Sequence, residues 1–282
     1  MTDQPEVRLA AGPLRYRDAG SGEPILFLHG ILADGLLWRK VTALLMTDFR
    51  CISPDLPLGS HRSPMDPAAD LTPPGLVRLV IELLDAIGAD EVTVVGNDTG
   101  GALAQLLAAH HPERVRRLVL TPCDAYENFP PRALFLPLRI AAAVPGGLLL
   151  LGWAMRMRLL WRLPISFAGL AKHPLDPAIV DGWMEGIRRD RGVRHDLREV
   201  IRGLSPSHTM AAAERLRRFD KPALIAWAPE APHFTLAYGQ RLLEDIPGAR
   251  LDLIADSYTF VSEDQPERLV ASIRDFIRDT GE

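Results

Sequence analysis

The stretch Val92-Thr93-Val94-Val95-Gly96-Asn97-Asp98-Thr99-Gly100-Gly101-Ala102-Leu103-Ala104-Gln105 decides how the rest of the chain is read. A β-branched apolar run stops at Gly96-Asn97-Asp98-Thr99-Gly100. It continues directly as an alanine- and leucine-rich segment with helical spacing, which predicts a strand, a tight turn and a helix. Glycines on both sides of Asp98 allow strained dihedrals at the centre of the turn, so one side chain is pushed out above the strand end. The amides that follow open a helix and lack intrahelical acceptors, and the helix dipole adds to their preference for negative charge. A carboxylate nucleophile and an oxyanion site can be built from this single turn.

The same grammar extends in both directions. Upstream, residues 7–18 read as two short edge strands joined at Gly12-Pro13, and Ile25-Leu26-Phe27-Leu28 is a buried strand ending in His29-Gly30. Residues 36–46 carry helical spacing, Cys51-Ile52-Ser53 is a strand, a proline-rich loop runs to about Pro74, and 75–87 is an amphipathic helix. Downstream, Arg117–Thr121 is another buried strand. From Asn128 to Arg217 the text turns helical, broken at Pro130-Pro131, Pro145, Pro164, Pro174 and Pro206. The alternation resumes with strand Ala223–Trp227, helix 235–246, strand Leu251–Ile254 and a closing helix from Pro266. These strands lack polar alternation, which predicts a mostly parallel sheet covered on both faces. The expected division is a core of residues 1–127 and 218–282 with a helical cap at 128–217.

Composition excludes several function classes. The chain has 282 residues, 47% hydrophobic and 24% charged, with a net charge of -4. That is ordinary for a globular protein and gives no nucleic-acid footprint. Two cysteines, Cys51 and Cys123, suggest neither a disulfide framework nor a metal site, so no cofactor or metal is expected. The polar start Met1-Thr2-Asp3-Gln4-Pro5-Glu6 does not read as a secretion signal, and a cytoplasmic location is the expectation. Ile140–Met155 is apolar but interrupted by Pro145-Gly146-Gly147 and followed by Arg156 and Arg158, so it is expected to be buried or to dock at a surface, not to span a membrane.

Taken together, His29-Gly30, the Gly96-x-Asp98-x-Gly100 elbow, the helical insertion after the sixth strand and the ending Ser262-Glu263-Asp264-Gln265-Pro266-Glu267 resemble the α/β-hydrolase fold. Within that fold the likeness is to the aspartate-nucleophile branch of haloalkane dehalogenases and epoxide hydrolases. The resemblance implies an eight-stranded, mostly parallel sheet with helices on both faces and a cap inserted after strand 6. It makes Asp98 the nucleophile and gives the oxyanion hole to the N–H groups of Thr99 and Ile31. His29 and Gly30 then brace or line the site, and Asn97 joins them.

The chain departs from that family at the helpers of the nucleophile. Alignment on Phe260, Glu263, Asp264 and Pro266 puts Thr259 where the family keeps its histidine base, and threonine cannot take a proton from water near neutral pH. Ala231 stands where an acid is usual, with Glu230 one residue earlier, and Thr99 replaces the tryptophan or arginine that follows the nucleophile in relatives. His233 is the candidate substitute base, with His208 behind it, while Asp124 and Glu230 are candidate acids. Leu148–Leu151, Trp153, Met155, Met157, Trp161 and Trp183 predict an apolar pocket for a hydrophobic small molecule. Three functions stay open: a hydrolase with a non-standard base, a lyase, isomerase or cyclase using Asp98 as general acid/base, and a binding protein that has lost turnover.

Overall fold

The computed structural model describes residues 4–281. Met1-Thr2-Asp3, which open the polar N-terminal stretch and the expected core, and Glu282 lie outside them. Eight strands form one sheet in the order β1-β2-β4-β3-β5-β6-β7-β8. They are β1 (Glu6–Leu9), β2 (Gly12–Ala19), β3 (Pro24–Leu28), β4 (Arg50–Pro54), β5 (Val92–Asp98), β6 (Val115–Cys123), β7 (Ala223–Trp227) and β8 (Arg250–Leu253). The first two strands pair antiparallel, as do β2 and β4, and all other pairings are parallel. The turn between β1 and β2 falls at Ala10-Ala11, and Gly12-Pro13, expected to form that turn, instead opens β2.

The central strands are apolar because both their faces are covered. Every residue of β5 is buried, and burying each such Val or Leu contributes about 1.5–3 kcal/mol. On one face pack α2 (Pro73–Ala86) and α3 (Thr99–His110), with Leu76, Leu79, Leu83, Leu103 and Leu107 in the core. Thr72 caps α2 by accepting from the Gly75 amide, and Pro73 and Pro74 fill the first turn where no amide acceptor is needed. On the other face lie α1 (Arg39–Leu45) and, from the C-terminus, α11 (Pro266–Asp279), which bring Val41, Leu45, Leu269 and Ile273 against Ile25 and Phe27.

Five α-helices separate β6 from β7: α4 (Arg132–Ala143), α5 (Gly147–Ala154), α6 (Pro177–Arg189), α7 (Arg191–Gly203) and α8 (Pro206–Leu216), with short 3-10 turns at Arg158–Arg162 and Phe167–Gly169. The first four stand over the C-terminal ends of the strands, and α5 packs on α4 and α6. The last of them lies along α3, where Ala212 and Leu216 join the core. The remaining α-helices among the described residues are α9 (Leu236–Asp245) and the single turn α10 (Val261–Asp264).

Candidate active site

Asp98 ends β5 with φ 52° and ψ -130° and caps α3, a conformation that costs an L-residue about 1–3 kcal/mol and survives only when its surroundings enforce it. Neighbouring glycines make the turn possible. A Cβ at Gly96 would meet the Gly100 carbonyl oxygen and the Gly101 Cα, both at 2.6 Å, and one at Gly100 would overlap the Leu28 backbone. A Cβ at Gly30 would overlap the Asp98 carboxylate itself, so the loop after β3 presses its backbone directly against that group.

The end of β6 supplies a second carboxylate. The Asp124 amide donates to the Asp98 carbonyl at 3.3 Å, the Thr99 hydroxyl donates to Asp124 Oδ2 at 3.0 Å, and Asp124 Oδ1 has no partner among the described residues. Gln105 of α3 fixes this corner by donating to the Asp124 carbonyl at 2.8 Å. Asp98 is 7% exposed and Asp124 0%. Burial pushes the Asp98 carboxyl up to about 7, against a smaller downward pull from the Thr99 amide. Burial, followed by the neighbouring Asp98 charge, holds Asp124 well above the usual carboxylate range. Two buried carboxyls whose charges repel cannot both ionise without a large electrostatic penalty, so one of them stays protonated near neutral pH.

Both carboxyls open on a cavity of about 120 Å³ beneath the cap. Ile31, Leu32, Leu134, Phe135, Leu138 and Leu151 are among its walls, and Ser166 is a polar contributor that the sequence did not single out. None of the described residues lining it is a histidine, lysine, arginine or tyrosine. The Ile31 amide has no hydrogen-bond acceptor among the described residues, and Ile31 and Thr99 lie together in the wall beside Asp98.

The other predicted residues take different places. His29 is fully buried: the Leu56 amide donates to Nε2 at 2.9 Å and Nδ1 lies 2.9 Å from the Gly30 carbonyl. This fixes the Nδ1–H tautomer, and burial pushes the ring down to about 4. The histidine therefore braces the loop as a neutral ring. Asn97 points away from the cavity, with Nδ2 within 2.6 Å of the Thr259 carbonyl and 2.8 Å of Thr121 Oγ1. Thr259 is completely buried, and its hydroxyl has no partner among the described residues.

His233, expected as a base, turns its Nε2 to the Pro164 carbonyl at 3.0 Å and is not among the cavity-lining residues. Its loop is anchored elsewhere, by Asn128 donating to its carbonyl at 3.0 Å. Glu230 is half exposed and pairs with Lys172 at 2.5 Å and the Asp256 amide at 2.9 Å, so the carboxylate is spent on a surface network. Trp183, expected to line the pocket, is buried behind its wall. A buried indole N–H needs an acceptor, and it donates to Asp34 Oδ1 at 3.0 Å. His208 lies with His110 and His111 at the far end of α3. Of the cap residues expected to shape the pocket, Leu151 and Met155 line it, whereas Trp153 and Met157 face outward.

Known proteins match this architecture. Residues 23–135 match a family described as alpha/beta hydrolase fold. A cis-3-alkyl-4-alkyloxetan-2-one decarboxylase of Shewanella oneidensis is 26% identical over 279 residues, covering 95% of this chain and 86% of that protein. Haloalkane dehalogenase 2 of Mycobacterium tuberculosis is 24% identical, covering 93% and 90%. Among solved structures, the enol-lactonase of Burkholderia xenovorans superposes with a TM-score of 0.76 at 19% identity, covering 97% of this chain and 100% of that one. The chain has the α/β-hydrolase fold, and its relatives include a haloalkane dehalogenase and an oxetanone decarboxylase.

Proposed function

We propose that the protein opens a strained, apolar lactone of the oxetan-2-one class through Asp98 and releases carbon dioxide without consuming water. The observation that carries this reading is the carboxyl pair of Asp98 and Asp124 in a wall that includes no histidine, lysine, arginine or tyrosine. A hydrolase of the dehalogenase type needs a base to free the aspartyl ester by activating water. A decarboxylation needs none, because the ester is expelled by the substrate's own electrons. The decarboxylase relative supplies the substrate class, and the apolar walls suit its alkyl chains.

The Asp98 carboxylate attacks the ring carbon that bears the ester oxygen; that C–O bond breaks, and an alkyl ester of Asp98 and a free substrate carboxylate result. The bond from the adjacent carbon to the carboxylate then breaks and its electron pair becomes the C=C bond. Carbon dioxide leaves, the ester C–O bond breaks, and Asp98 returns as a carboxylate. Inversion at the attacked carbon followed by anti elimination converts a cis-lactone into a cis-alkene. The N–H groups of Thr99 and Ile31 hold the Asp98 oxygen that does not attack. Asp124, neutral through burial, hydrogen-bonds the released carboxylate and keeps its proton.

The test is incubation with a cis-3,4-dialkyl-oxetan-2-one followed by gas chromatography. A cis-alkene and carbon dioxide formed by the wild-type protein and lost in Asp98→Asn support the reading. A 3-hydroxy acid as the main product, with solvent oxygen incorporated, would overturn it in favour of hydrolysis.

A further inference from the structure

Between Glu127 and Asp176 the chain has no acidic residue, yet it carries Arg132, Arg139, Arg156, Arg158, Arg162 and Lys172 there. Elsewhere the charge balance is acidic, since the net charge of the whole chain is -4. All five arginines are exposed. Among the described residues no carboxylate lies within ion-pair distance of any of them, whereas Arg50, Arg217 and Arg241 each meet one. Arg156 stacks over the Trp153 ring at 5.7 Å instead.

The same segment exposes most of the large apolar side chains that the described residues leave in solvent. Leu136 and Ile140 lie one turn apart on α4, and Leu150 and Leu159 are 71% and 72% exposed. Trp153 and Met157 join them. Meanwhile Leu134 and Leu138 on α4, and Leu151 and Met155 in and after α5, face inward and line the cavity. The roof of the cavity is thus one layer of helix, apolar on both sides, with unpaired cations along its outer face.

A solvated surface does not need apolar residues on its outer side, and a helix hydrophobic all round is normally covered. Aliphatic and indole groups interleaved with arginines and free of acids match the interface of a bilayer with negatively charged headgroups. Among the described residues no helix is long and apolar enough to cross a membrane, and α4 and α5, of 12 and 8 residues, suit a position in the plane of the surface.

We infer that the outer face of the cap, residues 132–165, docks onto an anionic lipid surface and holds the roof of the cavity against it. Leu150, Trp153 and Leu159 enter the headgroup boundary, and the arginines engage lipid phosphates. A substrate dissolved in the bilayer then reaches the cavity through a single helical layer. This docking stands independently of which reaction Asp98 performs.

The experiment is sedimentation of the full chain with vesicles of phosphatidylcholine alone and of phosphatidylcholine mixed with phosphatidylglycerol. Binding is expected to the mixed vesicles, weakened by salt. Each arginine at the surface contributes about fivefold, so Arg156→Ala/Arg158→Ala/Arg162→Ala should lose about 100-fold. Leu150→Glu/Leu159→Glu should lose about 100-fold as well, and both variants should melt as the wild type does because the changed side chains are exposed. Absence of binding to either vesicle at low salt overturns the inference. So does equal binding to both compositions, or binding unchanged in the variants. A concentration-dependent dimer abolished by the leucine changes, without vesicle binding, overturns it too and makes this face a contact between two copies of the chain.

Discussion

The Asp124 amide donates to the Asp98 carbonyl at 3.3 Å, so the two carboxyls of the site are rooted at one level on adjacent parallel strands. Backbone geometry, not side-chain flexibility, brings them together. No described cation lines the cavity to separate their charges.

That pairing predicts an inverted pH dependence of stability. Asp98 is raised in the folded state to about 7 from its ordinary value of 3.8, so between these limits the folded chain holds a proton that the unfolded chain has lost. Stability is then greatest below the lower value and falls as pH rises through the upper one. Asp98→Asn should stabilise the protein at pH 8 by on the order of 2 kcal/mol and make little difference near pH 3, and Asp124→Asn should act in the same direction. Urea unfolding at the two pH values measures this; variants less stable than the wild type at pH 8 would contradict it.

An epoxide with an alkyl tail offers Asp98 an electrophile that cannot decarboxylate. Intact-protein mass spectrometry should show one stable adduct, absent in Asp98→Asn, forming faster as pH rises through about 7 because the attacking group must be ionised. Rapid turnover to a diol without an adduct would mean that a base does reach the ester.

Gly30→Ala places a methyl where the Asp98 carboxylate lies. Displacing that group by about 1 Å should cost roughly 100-fold in any Asp98-dependent activity, while the melting temperature changes far less. Activity and melting measured on the same preparation separate the two effects.

Substitutions at Thr259 and at His233 should both be tolerated. The Thr259 hydroxyl is buried without a partner, so Thr259→Val should be neutral or stabilising by about 1 kcal/mol in a thermal melt. His233→Gln should leave turnover within about twofold of the wild type, as its ring faces the Pro164 carbonyl. A large loss of turnover would restore His233 as the base.

Sequence pattern carried the sheet because its strands are short apolar runs between turn residues, and it located the elbow because few residues other than glycine fit at positions 96 and 100. It also put Asp124 just past the sixth strand, where β6 ends at Cys123, but Thr259, expected to line the site, is not in the cavity wall. Long-range placement was not legible. Nothing near His233 announces that its ring turns to Pro164, and nothing near Trp183 names Asp34 as the acceptor of its indole N–H. Gln105, which fixes the Asp124 backbone, sits in the opening stretch as an ordinary helix residue. The outward face of α4 and α5 was equally hidden, because periodicity shows that a helix is apolar but not which of its sides remains uncovered.

The glycines of the elbow leave room for a backbone path, not for any particular residue at its apex. Gly96 and Gly100 are excluded from carrying side chains by Gly101, Leu28 and one another, and none of those contacts involves the functional group at position 98. The turn is thus a socket whose shape is set from outside. Exchange of Asp98 for serine or cysteine would leave the architecture that presents the side chain in place, so the fold specifies the path of the backbone here and not the residue at its apex.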